Sequence, residues 1–240
     1  SGIPFRILVE PQDLGLYKDI PNLLVLPEDN RGMEYSLYQG KMFAMENGYD
    51  TVFKIDDDID GWLPTYDKKD LYGYGTGNER QRDNTERFQT ILKDIEEPLS
   101  KPACGGISFG YRQEFWHESK WVGINQRFQT CYVVKTDLWL PKPTETGKAK
   151  TDPWQDFCDF LRVVEKGYKV MRYGRYVMDT RVGVAEEGGF YDWYKNRTLE
   201  QYKELLDAVS KEFPWLTFRQ KDNGLIEPNM DNPVIGGKKL

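Results

Sequence analysis

The stretch Thr51-Val52-Phe53-Lys54-Ile55-Asp56-Asp57-Asp58-Ile59-Asp60-Gly61 constrains the fold of this chain more than any other. Residues 51–55 form a short β-branched and aromatic run behind the helix-stopping pair Asn47-Gly48, which predicts a strand covered on both faces. Four carboxylates follow at Asp56, Asp57, Asp58 and Asp60. Like charges this close raise one another's pKa unless a cation neutralises them. A hard divalent metal meets that need, because oxygen ligands favour Mg²⁺, Mn²⁺ or Ca²⁺ over zinc. A strand end also places the acids at the mouth of an α/β sheet, where ligands bind.

Beside a plain solvated acidic turn, three functional readings fit these acids. One is the Asp-x-Asp of a sugar-nucleotide transferase, with Asp56 and Asp58 holding a metal on the donor diphosphate. Another is a calcium loop, since Asp56, Asp58, Asp60 and Gly61 match the D-x-D-x-D-G opening and Asp67 falls at the twelfth place. Against it, the acids follow a strand rather than a helix, Pro64 sits inside the loop, and the last ligand is Asp rather than the longer Glu. The third is the aspartyl nucleophile of a haloacid dehalogenase-type phosphatase. That strand belongs near the start of its domain, whereas two strand-like runs come first here.

The chain of 240 residues, 39% hydrophobic and 14% aromatic, is long and apolar enough to bury a core and is not a disordered chain. No apolar run approaches the roughly 20 residues that cross a bilayer. The start, Ser1-Gly2-Ile3-Pro4-Phe5-Arg6, has no Met and lacks the apolar core of a signal peptide. Cys104, Cys131 and Cys158 are widely spaced without a C-x-x-C pair, so neither a disulfide framework nor a zinc site is indicated, and a cytoplasmic location is expected. A net charge of -6 sets up no global attraction to a polyanion, so contact with nucleic acid requires a local basic patch. Candidates are Lys142, Lys148 and Lys150, then Arg80, Arg82 and Arg87, then Lys238 and Lys239; a merely solvated surface is the alternative.

In chain order, residues 6–10 alternate around Ile7 and Val9 as a first strand, and residues 23–26 are a second apolar run ahead of the loop Glu28-Asp29-Asn30-Arg31-Gly32. Tyr35, Tyr38, Met42 and Met45 recur at helical spacing up to the stop at Gly48. Strand, strand, helix and acidic strand end make an α/β beginning of the kind a Rossmann-like nucleotide site requires. The lack of a G-x-G-x-x-G or Walker loop argues against ordinary dinucleotide and P-loop chemistry. Gly73-Tyr74-Gly75-Thr76-Gly77 reads as a lid or a plain loop. Phe88, Ile91, Leu92 and Ile95 mark an amphipathic helix expected to end at Pro98. Residues 103–109 and 129–135 read as strands, with Gly105-Gly106 suited to close approach of a ligand. Between them lie Trp116, the sole histidine His117 and Trp121, an aromatic group that suits either a stacked base or sugar or the core.

In Thr151-Asp152-Pro153-Trp154-Gln155-Asp156-Phe157-Cys158-Asp159-Phe160, Asp152-Pro153 reads as a cap and first-turn proline. Phe157, Phe160, Leu161 and Val164 form the buried stripe before Gly167. Asp156 and Asp159 are expected on the opposite face, where the positive end of the helix dipole keeps a carboxylate ionised as a base or a positioning group. Residues 168–172 and 175–178 read as a hairpin around Gly174. Thr198-x-x-Gln201 is a capping box opening a helix that buries Leu199, Tyr202, Leu206 and Val209, and residues 215–219 read as a last strand. The expected fold class is α/β: one domain over residues 1–228 with a central mixed, mainly parallel sheet flanked by helices, and a loose tail over residues 229–240.

Early strands, an acid cluster at a strand end and a W-x-D-x-x-D-F helix about a hundred residues later together resemble a metal-dependent glycosyltransferase of the GT-A fold. The closer similarity is to the TET/JBP-associated glycosyltransferases of phages and related elements. Its residues here are Ile7-Leu8-Val9-Glu10-Pro11, Val25-Leu26-Pro27-Glu28-Asp29-Asn30, Phe53-Lys54-Ile55-Asp56-Asp57-Asp58-Ile59, Trp154 to Phe160, Gly167-Tyr168-Lys169 and Gly188-Gly189. The chain departs from that pattern in having Asp58 where Asn often follows the paired acids. His117 is also mid-chain rather than near the end, which leaves Asp179, Glu186 or water to complete a metal shell.

The resemblance implies a single GT-A-like (Rossmann-like) domain and transfer of arabinose or glucose from a UDP-sugar to the hydroxymethyl group of 5-hydroxymethylcytosine in DNA, in the host cytoplasm if a phage encodes it. Mn²⁺ or Mg²⁺ would sit on Asp56 and Asp58, with Glu10, Pro11, Tyr17, Arg31, Asp56 and Asp57 about the nucleotide. Asp156 would take the acceptor's proton if configuration inverts, or position groups if it is retained, with Asp159 orienting sugar or acceptor. Trp116 or Trp121 would hold an extruded base. A glycan, protein or free nucleotide acceptor on the same fold, and a calcium-binding interaction domain, are the alternatives.

Overall fold

The computed structural model describes residues 5–56, 59–65, 78–110, 120–141, 150–180, 196–220, 226–229, 234–235 and 238–239. The order begins β1 (Ile7–Val9), a 3-10 turn (Pro11–Asp13), α1 (Leu14–Tyr17), β2 (Leu23–Val25), α2 (Met33–Glu46), β3 (Thr51–Lys54) and β4 (Ile59–Pro64). It continues with α3 (Asn78–Ser100), β5 (Cys104–Ser108), β6 (Trp121–Ile124), β7 (Tyr132–Lys135), a 3-10 turn (Asp152–Trp154) and α4 (Gln155–Glu165). β8 (Lys169–Tyr173), β9 (Tyr176–Thr180), α5 (Leu199–Glu212), β10 (Thr217–Gln220), β11 (Ile226–Asn229), β12 (Val234–Ile235) and β13 (Lys238–Lys239) complete it.

The α/β class is as expected, but the sheet is not mainly parallel. The main sheet has five strands in the order β3-β7-β5-β8-β6, and only β5 and β8 run parallel. β1 and β2 form a separate parallel pair, and β4 pairs with β9 outside the main sheet. A strand buried on both faces reads as a continuous apolar run whichever way its neighbours point, so the apolar pattern carried no direction. For the same reason the hairpin expected around Gly174 is absent: β8 joins the main sheet while β9 leaves it for β4. The calcium-loop reading meets β4 as well, since residues 59–64 are an extended strand paired to β9 rather than a coil around an ion.

Register sets what the two faces of the main sheet carry. Lys54 lies opposite Tyr132, Tyr132 opposite Ser108, and Ser108 opposite Arg172, so these four stand in one row on one face. Val52, Val134 and Val170 share that face and pack with α4, α5 and Leu37 of α2 in the larger core. Phe53, Val133 and Ile107 point the other way, into a second core with Ile91 and Ile95 of α3 and with Trp62, Phe109 and Tyr173. Phe53 stacks on Phe109 at 5.2 Å between ring centres. The polar row therefore crosses the sheet at the carboxyl ends of β3, β5 and β8 and the amino end of β7.

Gly105 and Gly106 do permit a close approach, but to the protein itself. A Cβ on Gly105 would lie 2.7 Å from Val163 Cγ1, and one on Gly106 would lie 2.7 Å from the Val133 carbonyl and 2.8 Å from the Phe128 ring. Gly106→Ala is accordingly expected to lower stability by about 1–3 kcal/mol, read as a lower urea midpoint at unchanged slope. An unchanged midpoint would mean that the ring and the strand yield freely.

Gly48 (φ 71°) and Gly167 (φ 86°) follow α2 and α4 in the left-handed conformation that stops a helix. The capping box is present, Gln201 N donating to Thr198 Oγ1 at 3.1 Å and Thr198 N to Gln201 Oε1 at 2.9 Å. On α5 the buried residues are Leu205 and Val209, whereas Leu199 is exposed because its turn lies beyond the core. α3 runs past Pro98 to Ser100, since a proline in the last turn removes one amide bond and Lys101 N closes the end on Pro98 O at 3.1 Å. Within the expected tail, β12 and β13 pair as a two-residue ladder.

Candidate functional site

The strand-end acids emerge where β3 leaves the main sheet. Of the acids expected there, Asp56 is described, while Asp57 and Asp58 lie outside the described residues, as do His117, Trp116 and Glu186. β4 follows, held by α3: Asn84 Oδ1 accepts from Trp62 N at 3.1 Å, and Arg87 Nη1 donates to Trp62 O at 2.8 Å. Asp179 on β9 lies opposite Gly61, which puts it on the strand beside the segment leaving the acids. Among the described residues no group of three or more His, Cys, Asp or Glu side chains is placed to hold a metal ion.

The residue that organises this end is Lys54. It is only 8% exposed, and its Nζ lies 2.6 Å from Asp56 Oδ1, 3.0 Å from Asp156 Oδ1 and 2.9 Å from the Thr130 carbonyl. β3 turns it toward the face covered by α4, whose first turn carries Asp156, and the two residues meet across 102 positions of sequence. Burial alone would lower the lysine's pKa, but Asp156 and Asp56 outweigh it and raise it above the ordinary value. Asp156 is pushed up to about 7, chiefly by burial, with Lys54 opposing the rise and Asp56 adding to it. A carboxyl that titrates there is matched to base work at neutral pH.

Asp159 corrects the expectation of a polar helix face. α4 is buried nearly all round, because α2 and α5 cover the side that the main sheet leaves free, and Asp159 is 1% exposed. Its Oδ2 accepts from Tyr132 Oη, Trp139 Nε1 and Gln155 Nε2, and its Oδ1 accepts from Arg162 Nη1 at 2.8 Å. Arg162, 4% exposed, also donates to Glu34 Oε1 at 2.7 Å and to Glu212 Oε1 at 2.8 Å. Burial would lower the guanidinium's pKa, but Asp159 and Glu34 hold it firmly charged. Asp152, expected to cap its own helix, caps another: its Oδ1 accepts from Glu34 N at 2.9 Å in the first turn of α2, where Gly32 offers no side chain.

Of the expected nucleotide residues, Glu10 and Pro11 directly follow β1 and Arg31 lies in the loop after β2, whereas Asp56 stands at the Lys54 cluster and Asp57 is outside the described residues. Glu10 Oε1 accepts from Asn30 N at 3.0 Å and Glu10 Oε2 from Gln12 Nε2 at 2.8 Å, while Gln12 N donates to Asp29 Oδ1 at 2.8 Å, so Glu10 clamps the two loops to each other. Pro11 opens the 3-10 turn, and Tyr17 closes α1 half-buried. Arg31 is buried, ion-paired to Glu28, with its guanidinium 4.6 Å from the Tyr35 ring centre. Glu34, one turn further on, reaches Arg162, so α2 joins this mouth to α4.

The acceptor residues fare differently. Trp121 is not an open base pocket, because it packs edge-on against Tyr173 at 5.4 Å in the second core. Of the basic candidates, Lys150 pairs with Glu204 at 3.2 Å and Arg87 is spent on β4, while Lys142 and Lys148 lie outside the described residues. Cys104, Cys131 and Cys158 are buried free thiols whose pKa values burial raises. Sequence reading missed Lys54 and Arg162. The available signals were a lone charge inside an apolar strand just ahead of acids, and an arginine one helical turn after Asp159. No family model, no curated protein and no solved structure matches this chain.

Proposed function

We propose that this chain is a metal-dependent glycosyltransferase on a GT-A-like domain spanning residues 1–228, moving a sugar from a UDP-sugar to the hydroxymethyl group of 5-hydroxymethylcytosine in DNA. The supporting observation is that Asp56, at the acidic strand end, and Asp156, in the helix that carries the second acid motif, share one ammonium at 2.6 and 3.0 Å. The two acid motifs, whose Lys54 and Asp156 stand 102 positions apart in sequence, therefore meet at one point of the fold. Asp56 with Asp58 would hold Mn²⁺ or Mg²⁺, which when bound supplies charge neutralisation on the diphosphate leaving group. Asp156 receives the proton of the acceptor hydroxyl, and Lys54 keeps its carboxylate in place. Glu10 and Arg31 shape the loops at the nucleoside end. Asp159, sealed in the core, supports Tyr132 under Lys54 and does not meet the sugar.

Calorimetry with UDP in the presence and absence of Mn²⁺, followed by mass spectrometry of hydroxymethylcytosine DNA incubated with a panel of UDP-sugars, tests this reading. Mn²⁺-dependent UDP binding and a mass gain of one pentose or hexose are expected. Asp58→Ala should lose both with its melting temperature unchanged. Tight Ca²⁺ binding indifferent to UDP would instead mark a calcium-binding module.

A further inference from the structure

The structure assigns Lys54 a task beyond simple charge balance. We infer that it is a positioning residue, a built-in cation that clamps Asp56 to Asp156 and fills the place a divalent ion would otherwise take between them. The inference deepens the transferase reading and rests on it only for what the two acids do.

Three oxygens converge on the Lys54 Nζ: Asp56 Oδ1 just beyond β3 and, from remote parts of the chain, Asp156 Oδ1 on α4 and the Thr130 carbonyl ahead of β7. An ammonium has three donors, and these three acceptors use all of them, so the group is fixed in direction as well as in place. The Tyr132 ring, 5.6 Å from the Nζ, walls a further side, and the Tyr132 hydroxyl is itself held by Asp159. Little water reaches a side chain that is 8% exposed, so no solvent cation can share the position. Holding one carboxylate oxygen at 2.6 Å and the other at 3.0 Å from a single nitrogen brings two like charges so close that they need a cation between them. Two carboxylates and a carbonyl are also the oxygen set that Mn²⁺ and Mg²⁺ accept. A lysine, compact and bearing a point charge, fits this centre where the flat fork of an arginine would not.

The test counts bound Mn²⁺ by electron paramagnetic resonance in the wild-type chain and in Lys54→Met and Lys54→Gln. Glutamine, shorter than lysine and with two N–H donors in place of three, is the polar neutral variant and methionine the apolar one, with circular dichroism confirming the fold of each. Each variant is expected to bind one Mn²⁺ more per chain than the wild type, and the double variant Lys54→Met/Asp156→Asn to lose that extra ion. Folded variants that bind the same number as the wild type overturn the inference. A wild-type chain that binds no Mn²⁺ even with UDP, beside a Lys54→Met chain that binds one, supports the inference while removing the transferase's metal.

Discussion

Replacing Arg162 with methionine is expected to lower the unfolding free energy by about 3–5 kcal/mol, the usual cost of removing one partner from a buried ion network. Arg162 answers three carboxylates, Glu34, Asp159 and Glu212, of which the first two are almost wholly sealed from water. Without the guanidinium, Glu34 and Asp159 lose their countercharge where water scarcely reaches, so they must either protonate or open the core. Against a typical stability of about 5–15 kcal/mol, the loss would leave α2, α4 and α5 close to their folding threshold. Urea unfolding measures it. A loss below about 1 kcal/mol would place the cluster in the class of surface pairs and contradict its burial.

Asp156→Asn carries the largest expected effect on activity. If Asp156 is the base, turnover should fall by about 10²- to 10⁴-fold while Mn²⁺-dependent UDP binding stays near wild type. The fold should survive, since the amide oxygen of asparagine can still accept from Lys54 in place of Asp156 Oδ1. The pH profile gives an independent check. A base works ionised, so kcat/KM should rise with pH as Asp156 loses its proton and then level off, the limb lying below the metal-free value of about 7 once a divalent ion neutralises Asp56, and the asparagine variant should lose that limb. For stability the sign is opposite. The folded chain binds this proton more tightly than the unfolded chain, whose ordinary value is 3.8, so the contribution of Asp156 is greatest in acid and declines as pH rises from 3.8 to about 7. A flat activity profile from acid to neutral pH, with turnover intact in Asp156→Asn, would remove Asp156 as the base.

What local pattern determines in this chain is the identity and extent of many elements. The apolar runs at β1, β2, β3, β5 and β7, the glycine stops after α2 and α4, and the Thr198-Gln201 capping box each depend on residues within a turn or two of one another. The acid-bearing strand end and the acid-bearing helix were legible for the same reason. Tertiary structure alone decided which strands pair and in which direction, because a doubly buried strand shows no preferred neighbour. It also decided that both sides of α4 are covered, turning Asp159 from an expected surface carboxylate into the anchor of Tyr132 and Arg162. Asp152 capping α2 from 118 positions away, and Lys54 held between Asp56 and Asp156, likewise arise only when remote segments meet. The burial of a charge is a property of everything packed around it, and most of what surrounds Lys54 and Arg162 lies far from them along the chain.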